Sequence, residues 1–213
     1  MRDQILSIDE RATEYPILAR MQQLPYAAGT ATVLQLAREQ GWEAVNALYT
    51  DLPETSEQML HVEKLLSREA PAEITVDRDE LAGAYQDLTL EWIDSRGEAA
   101  WLATLAGPDT FNDATVATEG WNGDLFVSLS RGEETPPVIV GVTAWDTESD
   151  AKEFHAQLAH YPSPPVNNHV ALGHRRQGRN VFFVFADPAD VEGLLASAPD
   201  VFRVKRRRAR RGR

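Results

Sequence analysis

Apolar positions recur at helical spacing through the first third of the chain and alternate at strand spacing through the last part. Tyr26, Thr30, Val33, Leu34 and Ala37 form one stripe, which predicts a helix with Pro25 in its first turn, an end near Gln40 and Gly41 as its stop. Trp42, Val45, Leu48 and Tyr49 give a second, shorter helical face before Pro53 breaks the chain. Thr55 reads as the cap of a third helix, with Gln58 at the reciprocal capping position and Met59, Leu60 and Leu66 facing inward. Upstream, Ser7 and Glu10 have capping-box spacing and Pro16 interrupts any long first helix. Residues 1–70 therefore read as a helical segment.

The middle of the chain is less periodic. Residues 81–93 (LAGAYQDLTLEWI) fit a helix with Leu81, Tyr85, Leu88 and Trp92 on one side. Residues 99–105 continue that helix or form a short one, Gly107-Pro108-Asp109 is a turn, and residues 112–120 are a loop or short strand. From 121 onward the pattern sharpens. Residues 125–130 and 138–144 are strand-like, and Asp146 or Thr147 caps a helix reaching about Tyr161. Residues 169–174 and 180–186 form a hairpin around Gln177-Gly178, residues 188–198 a short helix, and 201–204 a last edge strand. The order β-β-α-β-β-α predicts an α+β fold: a helical segment packed on an antiparallel sheet lobe (residues 71–204) with helices on one face, followed by a tail (205–213).

Composition changes this picture in two ways. The chain has no cysteine, which removes disulfides, thiolate nucleophiles and cysteine metal sites. Its net charge of -12 also hides a split. The last eleven residues (RVKRRRARRGR) hold eight Lys or Arg and no acid, so 13 basic residues face 33 acidic ones in the remainder. An acidic body disfavours nonspecific nucleic-acid binding, whereas a basic tail favours it. The longest apolar runs, such as 181–186, are far too short to span a bilayer. Asp3, Asp9 and Glu10 break the apolar stretch a secretory leader needs, so a chain starting at Met1 reads as cytoplasmic.

Several short motifs occur in a fixed order. Pro25-Tyr26-x-x-Gly29 is followed by Gly41-Trp42-x-Ala44-Val45-Asn46, then by Pro53-x-Thr55-Ser56-Glu57-Gln58-x-Leu60-His61-x-Glu63-Lys64. Gly120-Trp121-x-Gly123-Asp124 and Trp145-Asp146-Thr147-x-x-Asp150-Ala151-x-x-Phe154 come later. Over roughly residues 20–195 this set resembles the C-terminal part of a bacterial group of HExxH metallopeptidase-like proteins. The resemblance implies a zinc-binding helix upstream of the Pro-Tyr element. Here no His-Glu-x-x-His occurs, so the two ligands and general base that zinc hydrolysis needs are missing and no catalytic residue carries over.

The remaining residues offer few alternatives. His155 and His160 lie about 140° apart around a helix, and His169 and His174 point to opposite faces of a strand, so neither pair predicts a metal site or cofactor. Glu57 and His61 are one helical turn apart and share a face, the spacing of an acid/base or metal pair. The simpler reading is structural, with Glu57 favoured in a first helical turn. Trp121 and Trp145, beside Gly-rich turns and Asp124, read as core anchors before ligand contacts. No phosphate loop, dinucleotide fingerprint or nucleophile elbow is present. Lys205, Arg206, Arg207, Arg208, Arg210, Arg211 and Arg213 are candidates for binding nucleic acid or an acidic partner. The sequence thus leads to a non-catalytic protein that binds a partner or itself, with Glu57, His61, Trp121, Asp124 and Trp145 as candidate contacts. The alternatives are a nucleic-acid or ribonucleoprotein component anchored by the tail, and half of a split zinc hydrolase.

Overall fold

The computed structural model describes residues 16–107, 110–132, 135–161 and 170–206. In chain order its elements are α1 (Pro16–Gln40), α2 (Trp42–Ala47), α3 (Ser56–Leu60), α4 (Val62–Ser67), β1 (Glu73–Val76), α5 (Arg78–Ala84), β2 (Thr89–Asp94), α6 (Gly97–Leu105), α7 (Phe111–Thr118), β3 (Trp121–Ser130), β4 (Val138–Trp145), α8 (Glu148–Leu158), β5 (Ala171–Gln177), β6 (Asn180–Ala186), α9 (Val191–Val201) and β7 (Phe202–Lys205). The α+β class holds, with helices concentrated early and antiparallel strands late. The chain divides into two units: a helical one built from the described residues up to Pro71 and from Gly97–Val116, and a sheet unit from Ala72–Arg96 and Ala117 onward. The Ser7–Glu10 cap, His169 and the tail beyond Arg206 lie outside the described residues.

In the helical unit, α1 runs straight through Pro25. Proline deprives the Met21 carbonyl of its donor, but Pro25 is on the exposed side, where solvent can reach that carbonyl. The buried face is Leu24, Ala27, Ala28, Thr32 and Leu36, not the predicted Tyr26–Ala37 stripe. Small residues let neighbouring helices approach α1, and the larger Tyr26 and Leu34 remain outside. Arg20 is buried and donates to the carbonyls of Ala103 (2.6 Å) and Ala106, capping the C-terminal end of α6 with positive charge. The Thr32 hydroxyl donates to the Met59 carbonyl. Leu36, Val62 and Leu65 form a small core on which Ala44, Val45 and Leu48 pack.

The predicted third helix is broken in two. His61, in extended conformation, ends α3 and begins α4. The Thr55 hydroxyl accepts from Gln58 N–H (3.2 Å) as expected, whereas the Gln58 side chain accepts from Glu54 N–H (2.9 Å) and donates to the Glu69 carbonyl (2.9 Å). This break buries Glu57 and Gln58; of the residues predicted to face inward, Met59 and Leu60 are half-buried and Leu66 is exposed.

In the sheet unit, β2-β3-β4-β6-β5 form one antiparallel sheet, and β1 pairs with β7 in a second, two-stranded one. The 81–93 segment is a helix and then a strand. Asp77 caps α5 by accepting from Glu80 N–H (3.2 Å), and Thr89–Asp94 pairs with β3. Alternating β-formers override the weak helical spacing. Residues 111–118, expected as loop or strand, are helical.

The helices also lie on both faces of the sheet, not one. Val138, Val140, Val142, Phe182 and Val184 pack with Ala198, Val201 and Phe202 on the α9 side. On the other side Trp145 stacks on Phe154 of α8 at 4.5 Å. Gly141 belongs to that second face, where an added Cβ would fall 2.7 Å from the Phe126 Cβ, so only glycine admits both Phe126 and Phe183. Strand alternation exposes two apolar faces along β4, and a helix covers each.

Candidate functional site

The densest polar cluster sits where α3, α4 and α6 meet in the helical unit. Glu57 and Glu98 are 1% and 2% exposed. Burial of a carboxylate requires compensating charge or hydrogen bonds. Lys64 Nζ lies 3.3 Å from Glu57 Oε1 and 2.9 Å from Glu69 Oε1. His61 Nε2 lies 2.8 Å from Glu98 Oε1, with Glu63 3.8 Å from Nδ1. The hydrogen bond to Glu98 raises the affinity of His61 for its proton above the ordinary imidazole range, and it outweighs the opposing effect of burial. Gly97 brings α6 into place: its φ is +74°, and a Cβ there would fall 2.6 Å from Ser56 Oγ. The Ser56 hydroxyl accepts from Ala99 N–H (3.2 Å).

Glu57 and His61 thus belong to one cluster but face different partners, Lys64 and Glu98. Chemically, the His61–Glu98 pair is an oriented imidazole that can exchange a proton. Among the described residues no group of three His, Asp or Glu is placed to hold a metal ion.

Trp121, Asp124 and Trp145 come together in the sheet unit. Trp121 and Trp145 are register partners across β3 and β4. Asp124 is buried, accepting from Trp121 Nε1 (3.0 Å) and from Arg96 N–H (2.6 Å). Trp145 is wholly buried and donates to the Thr143 hydroxyl (2.8 Å). These side chains brace the start of β3 and the end of β4, and neither indole presents a face to solvent. The cap of α8 follows directly: Thr147 and Asp150 form a reciprocal capping box.

The structure makes pairings that sequence patterns did not. Glu98 is the partner of His61 from 37 positions away. No periodicity links them, and only the chain reversal into α6 pairs them. His155 and His174, on α8 and β5, meet edge to face at 4.6 Å. Burial lowers the proton affinity of both, and in His174 the neighbouring His155 lowers it further.

With this geometry in hand, one comparison is decisive. Residues 92–201 match the family model described as Domain of unknown function (DUF8575). The chain belongs to this family. The match runs from within β2 to the end of α9, so it includes Glu98, Trp121, Asp124 and Trp145, while Glu57 and His61 precede it. No curated protein and no solved structure matches the chain.

Proposed function

We propose that this DUF8575 protein is a non-catalytic interaction protein, related to the metallopeptidase-like group, that binds a partner protein or a second copy of itself through its helical unit. The observation carrying this reading is the exposed apolar surface of that unit. Tyr26, Trp42, Tyr49 and Leu52 are 80%, 63%, 82% and 68% exposed. Trp42 and Tyr49 are seven residues apart, on one side of α2 and its following turn, while Ala44, Val45 and Leu48 face the core. Large aromatic side chains left in water are the residue types that anchor protein interfaces. Glu39, Glu43, Asp51 and Glu54 flank them in sequence, so acidic residues neighbour the exposed rings along the chain.

A second copy is the first partner to test. Sedimentation velocity over a wide concentration range is expected to show reversible dimerisation that Trp42→Ser/Tyr49→Ser removes without loss of helicity. A monomer at every concentration, or a dimer insensitive to that pair, would sink self-association through this surface.

A second reading, half of a split zinc hydrolase, draws on the His61–Glu98 pair, because a carboxylate-held imidazole is how metal-binding histidines are oriented. It predicts stoichiometric zinc in a complex with an HExxH-bearing chain, abolished by His61→Ala. Zinc content unchanged by that substitution would exclude it.

A further inference from the structure

Three arginines on the described surface pair with carboxylates at 3.2 Å or less. Arg68 pairs with Asp51 at 2.5 Å, Arg131 with Asp190 at 2.5 Å and Arg203 with Asp77 at 3.2 Å. One end of the sheet unit is different. There the β5–β6 turn, the β4–α8 turn and the exit of β7 bring Arg176, Arg179 and Arg206 together, and each guanidinium bonds a neutral oxygen. Arg176 donates to the Gly178 carbonyl (2.7 Å), Arg179 to the Asp146 carbonyl (2.8 Å) and Arg206 to the Asn180 side-chain oxygen (2.6 Å).

The acids nearby do not cancel this charge. Glu148 is exposed and reaches Arg176 only at 4.0 Å. Asp146 favours the charged form of Arg206 and accepts from Asn122 Nδ2 (2.5 Å), so two carboxylates face three guanidiniums. Burial and the like charge of Arg179 both act against the Arg206 charge. Like charges held together on neutral partners form a site poised for an anion. Lys205 is exposed beside them, and the sequence continues with RRARRGR, five more arginines without an acid.

We infer that the end of the sheet unit formed by Arg176, Arg179 and Arg206 is a binding surface for the phosphodiester backbone of nucleic acid. A backbone offers evenly spaced charge along a line, which suits neighbouring guanidiniums at one end of a sheet. The acidic remainder of the chain repels the same polyanion, so contact is confined to this end. This inference is independent of the interaction surface on the helical unit.

The test is fluorescence anisotropy with a labelled mixed-sequence single-stranded 20-mer DNA, titrated at several salt concentrations against the full chain. Binding is expected to weaken linearly in log salt. Arg179→Gln/Arg206→Gln is expected to reduce the salt slope by about 1.4, as loss of two phosphate contacts to a single strand requires. Should Arg206→Gln impair folding, Arg176→Gln/Arg179→Gln keeps the test open, because the bonds of these two side chains are to turn backbone and to an exposed acid. The proposal fails if no binding occurs at low salt. It also fails if the slope is unchanged in both double variants, which would leave the residues after Arg206 as sole contact. Equal displacement by poly-glutamate at matched charge would overturn it in favour of an acidic protein surface.

Discussion

The two units solve the burial problem in opposite ways. Among the described residues the sheet unit hides nearly all its large apolar side chains: Trp145, Phe154 and Phe183 are at most 1% exposed, and of the exposed large hydrophobics only Trp92 and Ile93 belong to it. The helical unit encloses charge, in Glu57, Glu98 and Arg20, while leaving Tyr26, Trp42, Tyr49 and Leu52 in water. A sheet with helices on both faces has two apolar layers that exclude solvent. Short helices broken at Gly41, Pro53 and His61 share a small apolar core around Leu36, Val62 and Leu65, and ion pairs and side-chain bonds to backbone add to what joins them. The histidines differ as well: His61 is held by a carboxylate, whereas His155 and His174 are part-buried against each other.

The largest effect should come from the sheet core. Phe154→Ala removes the ring stacked on Trp145 and is expected to cost about 4 kcal/mol in urea unfolding. Hydrogen exchange should accelerate along β4, β6 and α8 first. A loss spread evenly over both units would break the comparison. Next, Lys64→Met removes the cation between buried Glu57 and Glu69 and should cost about 2 kcal/mol, felt in α3 and α4. A neutral or stabilising result would mean that the ion pairs are not what joins these helices.

The pH dependence sharpens the contrast, because the signs differ. His61 has a raised pKa in the fold, so its contribution is complete below the ordinary imidazole value of 6.5 and is lost as pH rises through the folded value. His155 and His174 have lowered values, so their neutral forms contribute fully above 6.5, and that contribution is lost as pH falls toward their folded values. Imidazole titrations followed by NMR should place His61 above 6.5 and the other two below it. Glu98→Gln should move His61 downward alone, and a His61 that titrates below the pair would contradict the geometry. The smallest effect is expected for Trp42→Ser/Tyr49→Ser, within about 0.5 kcal/mol for each exposed site in thermal unfolding, since neither ring is buried. A large destabilisation would show that these rings support the fold and are not spare surface.

Much of the sheet unit was legible before folding. The runs 125–130, 138–144 and 180–186 alternate or are uniformly apolar because both sheet faces are covered, and Thr147 with Asp150 marks the start of α8 through local hydrogen bonds alone. The helical unit was less legible. The Tyr26–Leu34 stripe has helical period but is the outer side of α1, because periodicity gives a face without saying which neighbour covers it. The 81–93 segment misled for a related reason: its helical spacing is real only up to Ala84, and pairing with β3 makes the rest a strand.

Sequence alone determined the α+β class, the late β-β-α-β-β-α order, the lack of thiol chemistry and the division between an acidic body and a basic tail. Those properties depend on short-range periodicity, capping and composition, which any stretch of chain carries with it. Tertiary structure alone decided that His61 meets Glu98, that Trp121 is bonded to Asp124, and that Arg206 joins Arg179 beside Asn180. Two of those three arrangements link residues 26 to 37 positions apart, and all of them depend on where chain reversals place side chains, which local pattern does not encode.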